Sequence, residues 1–146
     1  MLVLPHVATG AALGALIGDP LIVVPAAIAS HFILDSIPHW QETMAPYDPT
    51  WKTYLRIPID IGLAVAFVIY AAQLHPALLP GILLGAIFAS IPDLDVITIK
   101  LPALQRGIVK RYWDWHCKIQ REVSSLWGVA TQLIVVATCI TVIHAS

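Results

Sequence analysis

Charge is scarce in this sequence: 12% of its 146 residues are charged and 58% are hydrophobic, with a mean hydropathy of +0.80. Such a chain is not an ordinary soluble domain and reads as an all-α integral membrane protein with room for one small bundle. Lysine and arginine number only eight and the net charge is −1. The basic residues gather in two connections instead of covering a face, which argues against nucleic acid as a partner. Cysteine is limited to Cys117 and Cys139. On one continuous helix they would stand roughly 33 Å apart, too far for a disulfide, so both read as free thiols. The N-terminal apolar run has no basic stretch ahead of it and reads as retained, not as a cleaved signal. Serine nucleophile elbows, Walker loops, Cys-x-x-Cys pairs and dinucleotide fingerprints are all missing.

Long apolar runs are what the chain does have. Proline, glycine or charge bounds five candidate spans, at about 4–18, 20–37, 56–75, 77–98 and 123–143, the first two short against the ~20 residues a bilayer core requires. "GDP" at 18–20 and "LHP" at 74–76 read as tight turns between antiparallel spans. The connections 38–55 and 99–122 then lie together on the opposite side. In or beside them stand Lys52, Arg56, Lys100, Arg106, Lys110, Arg111, Lys118 and Arg121. Positive charge marks that side as cytoplasmic, which predicts a multi-pass protein of the inner (plasma) membrane with its N-terminus inside and its C-terminus outside. Trp40, Trp51, Trp113 and Trp115 lie in the same connections, suited to anchoring in the headgroup layer. Over about 101–119, Leu101, Leu104, Ile108, Tyr112, Trp115 and Ile119 recur at three and four residues, the pattern of an interfacial amphipathic helix. A solvated helix packed on the bundle by its apolar side explains the pattern equally well.

The topology sets the depth of the ionisable residues. His6, His39, Asp60, Asp93, Asp95 and His116 fall at the cytoplasmic side, and "HFILDSIPH" at 31–39 adds His31 and Asp35 one turn apart on one helix face. An intramembrane charge costs about 2.5–3.5 kcal/mol on insertion scales, so these groups are expected to meet partners. Imidazole and carboxylate without thiolate suit a divalent cation, zinc first and manganese or iron next. The alternative is that each group is satisfied separately, at a helix end or against a neighbouring helix. Spacing favours convergence: His6 to His39 and Asp60 to Asp93 are both 33 positions, and "SIPH" at 36–39 returns as "SIPD" at 90–93. This suggests two helical hairpins in a weak parallel repeat, with Pro38 and Pro92 ending helices and turning the next side chain toward a common centre. Gly10, Gly14 and Gly18, and Gly81, Gly85 and Ala89, repeat at four and allow close helix approach, within the chain or in a homo-oligomer.

"HFILDSIPH" resembles the His-x-x-x-Asp-x-x-x-Pro-x-His segment of secreted zinc phospholipases C and related fungal nucleases, with one residue fewer on each side of the proline. The short spans, early histidine, "PDLD" at 92–95 and late histidine in "WDWHCKIQ" at 113–120 resemble the small inner-membrane proteins named as metal-dependent hydrolases, the LexA-regulated YdjM type. These resemblances imply a metal-dependent hydrolase acting on a membrane lipid headgroup or phosphoester. The expected metal ligands are His6, His31, Asp35, His39, Asp93 and His116, with Asp60 and Asp95 as a further ligand set or general base. Arg106, Lys110 and Arg111 would hold a phosphate. The competing expectation is a metal-binding or structural membrane component whose polar cluster locks the bundle. A haem ligated by two of the histidines is a more remote third.

Overall fold

The structure, a computed structural model, describes residues 1–42, 50–98, 101 and 106–146. Seven α-helices account for most of it: α1 (Val3–Ile17), α2 (Pro20–Ser36), α3 (Trp51–Leu74), α4 (Leu79–Ser90), α5 (Asp95–Thr98), α6 (Gly107–Ile119) and α7 (Ser125–Ala145). Short 3-10 turns, Pro76–Leu78 and Ile91–Leu94, flank α4. Among the described residues no strand forms, and one isolated bridge pairs His39 with Glu122.

Local chemistry sets several boundaries. The Asp19 carboxylate accepts from Leu21 N–H at 2.9 Å, with Pro20 at the first position of α2. That helix ends where Ile37, ahead of Pro38, turns extended. Thr50 caps α3 through Thr53 N–H. By contrast α1 has no side-chain cap of its own. Asp60 of α3 serves instead, accepting from Val3 N–H at 2.6 Å and Leu4 N–H at 3.2 Å, the orphan donors of a helix start.

Helix α1 sits at the centre, packed by α2, α3, α4 and α7. Only small side chains allow such close packing. A Cβ on Gly10 would run into the Gly85 carbonyl, and one on Gly14 into the Gly81 carbonyl, so α1 and α4 cross backbone to backbone. Gly10 and Gly14 of one stripe and Gly81 and Gly85 of the other meet inside the chain, whereas a Cβ on Gly18 would meet nothing within 4 Å.

Three helices are long and apolar enough to cross a membrane: Trp51–Leu74, Pro76–Leu94 and Ser125–Ala145. Helices α1 and α2, with 15 and 17 residues, are shorter. Contacts distinguish the two ends of the bundle. One end gathers Met1, Asp35, His39, Asp93, Asp95 and α6. At the other, His75 Nε2 donates to the Ile143 carbonyl at 2.7 Å and Tyr70 meets His144.

Two expectations change. The amphipathic helix starts at Gly107, not at 101, because extended Arg106 and Gly107 at φ 58 set a break there, and Leu101 is non-helical. Leu104 and Lys100 lie outside the described residues. "SIPH" and "SIPD" also differ in conformation. Ile91 stays helical before Pro92, which opens a 3-10 turn leading into α5, whereas Pro38 terminates its helix outright.

Candidate metal centre

Four side chains from three segments converge at the end of the bundle that carries α6. His31 and Asp35 lie one turn apart on α2, Asp93 comes from the turn after α4, and His116 comes from α6. Their ligand atoms all lie within 4.8 Å of one another. His31 Nε2 is 3.2 Å from Asp35 Oδ2, 3.2 Å from His116 Nε2 and 3.5 Å from Asp93 Oδ1, and His116 Nε2 is 2.9 Å from Asp35 Oδ2. A tetrahedral zinc site with bonds of 2.0–2.2 Å has edges of roughly 3.3–3.6 Å, so the His31 separations of 3.2–3.5 Å lie near such edges, while the 2.9 Å between His116 and Asp35 is a hydrogen-bond distance that would have to widen around an ion.

The outer contacts fix which ring nitrogen faces the centre. His31 Nδ1 donates to the Ala89 carbonyl at 2.8 Å, and His116 Nδ1 donates to Asp95 Oδ2 at 2.6 Å. With both Nδ1 atoms donating outward, both Nε2 atoms can turn lone pairs inward, the carboxylate–histidine and carbonyl–histidine arrangement typical of metal ligands. α6 is held in register by aromatic contacts, since Phe32 of α2 packs against Trp115 at 5.0 Å and His116 at 5.6 Å between ring centroids. The next connection returns to α2, with Arg121 N–H donating to the Asp35 carbonyl at 3.1 Å.

Electrostatics follow from this packing. Burial opposes the charged form of His116, but the Asp35 and Asp95 carboxylates outweigh it and raise the group to about 9. His31, Asp35 and His116 are sealed from solvent, while the Asp93 side chain is 32% exposed and forms the accessible side of the group.

His6 and His39 adjoin this group without joining it. His6 stacks on His31 with ring centroids 4.0 Å apart, and its Nε2 lies 3.2 Å from Asp35 Oδ1, yet both His6 ring nitrogens are buried without a hydrogen bond. The Met1 nitrogen also meets Asp35 Oδ1, at 2.6 Å. His39 Nδ1 donates to the Ile37 carbonyl at 2.8 Å, leaving Nε2 buried and unpartnered, and burial lowers its pKa. Asp35 thus presents Oδ2 to the four-ligand group and Oδ1 to His6.

Other expected residues lie elsewhere. Asp60 is occupied by the start of α1, and Asp95 stands behind His116 instead of beside the ligand atoms. Arg106, just before α6, and Lys110 and Arg111 on it are exposed; Lys110 bridges Asp114 at 2.7 Å, and among the described residues no hydrogen bond or ion pair joins the three to the centre. Sequence reasoning missed the Ala89 carbonyl, which no side-chain pattern announces. It also missed Gln132, which accepts from Leu2 N–H and donates to the Trp40 carbonyl. A lone glutamine in an apolar span was the available signal. Compared with family models, curated proteins and solved structures, the chain has no match.

Proposed function

We propose that this chain is a membrane hydrolase with one divalent cation, zinc by preference, held by His31, Asp35, Asp93 and His116. The proposed substrate is a phosphoester of a lipid headgroup at the cytoplasmic membrane face, where the polar end of the bundle and the basic residues beside α6 would meet it. The observation that carries the reading is the pair of Nε2 atoms 3.2 Å apart, each oriented from behind by an acceptor on Nδ1. Two imidazoles, with His116 giving up its proton to a bound cation, one buried carboxylate and one partly exposed carboxylate form a nitrogen and oxygen set suited to zinc.

A cation bound there would lower the pKa of its water toward ~7 and polarise a phosphoryl oxygen. The chain's own residues would do the rest. Asp95 holds the His116 ring in one orientation as a positioning residue. Asp93, on the accessible side, bounds the direction from which a substrate approaches. His6, stacked on His31 with its Nε2 3.2 Å from Asp35 Oδ1, would hold Asp35 in place from the side away from the other ligands. Arg106 and Arg111 on α6 remain the proposed phosphate contacts.

A second reading, a bundle lock without metal, is favoured by one observation: protonated His116 would already be bound by Asp35 and Asp95. Headgroup release from total membrane lipid, with and without chelator, tests the hydrolase. No release under any divalent cation would leave the binding or structural reading in its place.

A further inference from the structure

A cleft of about 560 Å3 opens between α3 and α7 over the start of α1, within the roughly 300–1,000 Å3 of small-molecule sites. Its walls change character from the metal-centre end inward. On α3, Arg56 is followed along the wall by Ile59 and Leu63, and Lys52 stands one turn before Arg56 on the same helix face, just beyond the lining and with its Nζ 5.9 Å from the Trp51 ring centroid. On α7, Ser125 leads to Leu133 and Val136. Trp40 closes the polar end, with the Arg56 guanidinium 5.5 Å from its ring centroid.

Two carboxylates described near that end are already engaged by protein donors. Glu42 accepts from Thr53 Oγ1 at 3.1 Å and from Arg56 at 3.0 Å, and Asp60 accepts the two N–H groups of α1. Lys52 pairs with no carboxylate among the described residues, and the Arg56 fork has donors beyond the one that faces Glu42. With α3 and α7, two of the three helices long and apolar enough to cross a membrane, in a bilayer, the cleft would open sideways to hydrocarbon.

We infer that this cleft binds one glycerophospholipid, with its phosphate on Arg56 and Lys52 and an acyl chain between Ile59, Leu63, Leu133 and Val136. A phospholipid offers an anion at the depth of the cations and a chain at the depth of the apolar walls. The site uses none of the four metal-facing residues, so it stands or falls separately from the hydrolase.

A second cleft supplies the control. The space of about 610 Å3 between α3 and α4 is lined by apolar residues with Ser90 as its one polar side chain, and it offers nothing to a headgroup. The test reconstitutes the full chain, treated with chelator so that no probe is hydrolysed, in vesicles carrying phosphatidylglycerol with a diazirine in its acyl chain. A parallel arm carries diacylglycerol with the same chain. After photolysis and peptide mapping, the phospholipid arm should label Leu63, Leu133 and Val136 several-fold more than the diacylglycerol arm. The α3–α4 cleft should label equally in both. The double variant Lys52→Gln, Arg56→Gln should reduce phospholipid labelling to the diacylglycerol level while leaving the α3–α4 cleft unchanged. Should that variant misfold and lose labelling in both clefts, the two wild-type arms decide alone. Equal labelling of the α3–α7 cleft by both lipids, or label spread evenly over the outer faces of α3 and α7, would overturn the site and leave only annular lipid.

Discussion

Asp95 does its work through another residue. Its carboxylate fixes the His116 ring, so Asp95→Asn is expected to weaken zinc binding by roughly 10–100-fold while leaving the four ligands in place. Zinc titration with a competing chromophoric chelator measures this, and unchanged affinity would remove Asp95 from the account. His116 also gives the metal-free protein a pH dependence. Its folded-state pKa is raised to about 9, so its stabilising contribution is fully present below its unfolded value near 6.5 and is lost as pH rises through 9. Metal-free protein should therefore lose thermal stability across that window, and His116→Gln should flatten the loss. Some of this was legible in the residues, because His31 and Asp35 four apart on an apolar helix must share a face. The Asp60 role was not, since its partners are backbone N–H groups 57 and 56 positions away, without a side-chain signature.

At the scale of elements, the contact between α1 and α4 depends on the missing side chains of Gly10, Gly14, Gly81 and Gly85. Gly14→Val would press a branched side chain into the Gly81 carbonyl and should cost about 1–3 kcal/mol as overpacking. Gly62→Ala, where a Cβ meets nothing within 4 Å, should be neutral or mildly stabilising. Thermal unfolding in detergent compares the two, and equal effects would mean that the close approach contributes nothing. Glycines spaced by four were readable as packing devices. That α1 is the central helix was not, because its length and hydropathy match those of any short apolar segment. The start of α6 escaped for a similar reason: apolar periodicity runs through Gly107, while the break there is set by backbone conformation.

For the whole molecule, titratable groups gather at one end of the bundle, while His75 and His144 lie at the other. On the expectation that positive charge keeps the basic connections inside, a reporter fused after Ser146 should be extracytoplasmic. A cytoplasmic reporter would mean that one of the two short helices does not cross. Convergence at one end is also what unites the functional account, since His116 and Asp93 reach Asp35 only through the tertiary arrangement. The central claim is that this convergence is a ligand shell, and elemental analysis of the purified protein tests it most directly. The account predicts a stoichiometric divalent metal, zinc by preference, that Asp35→Asn abolishes. A folded wild-type protein that contains no metal after exposure to zinc, manganese and iron would contradict it.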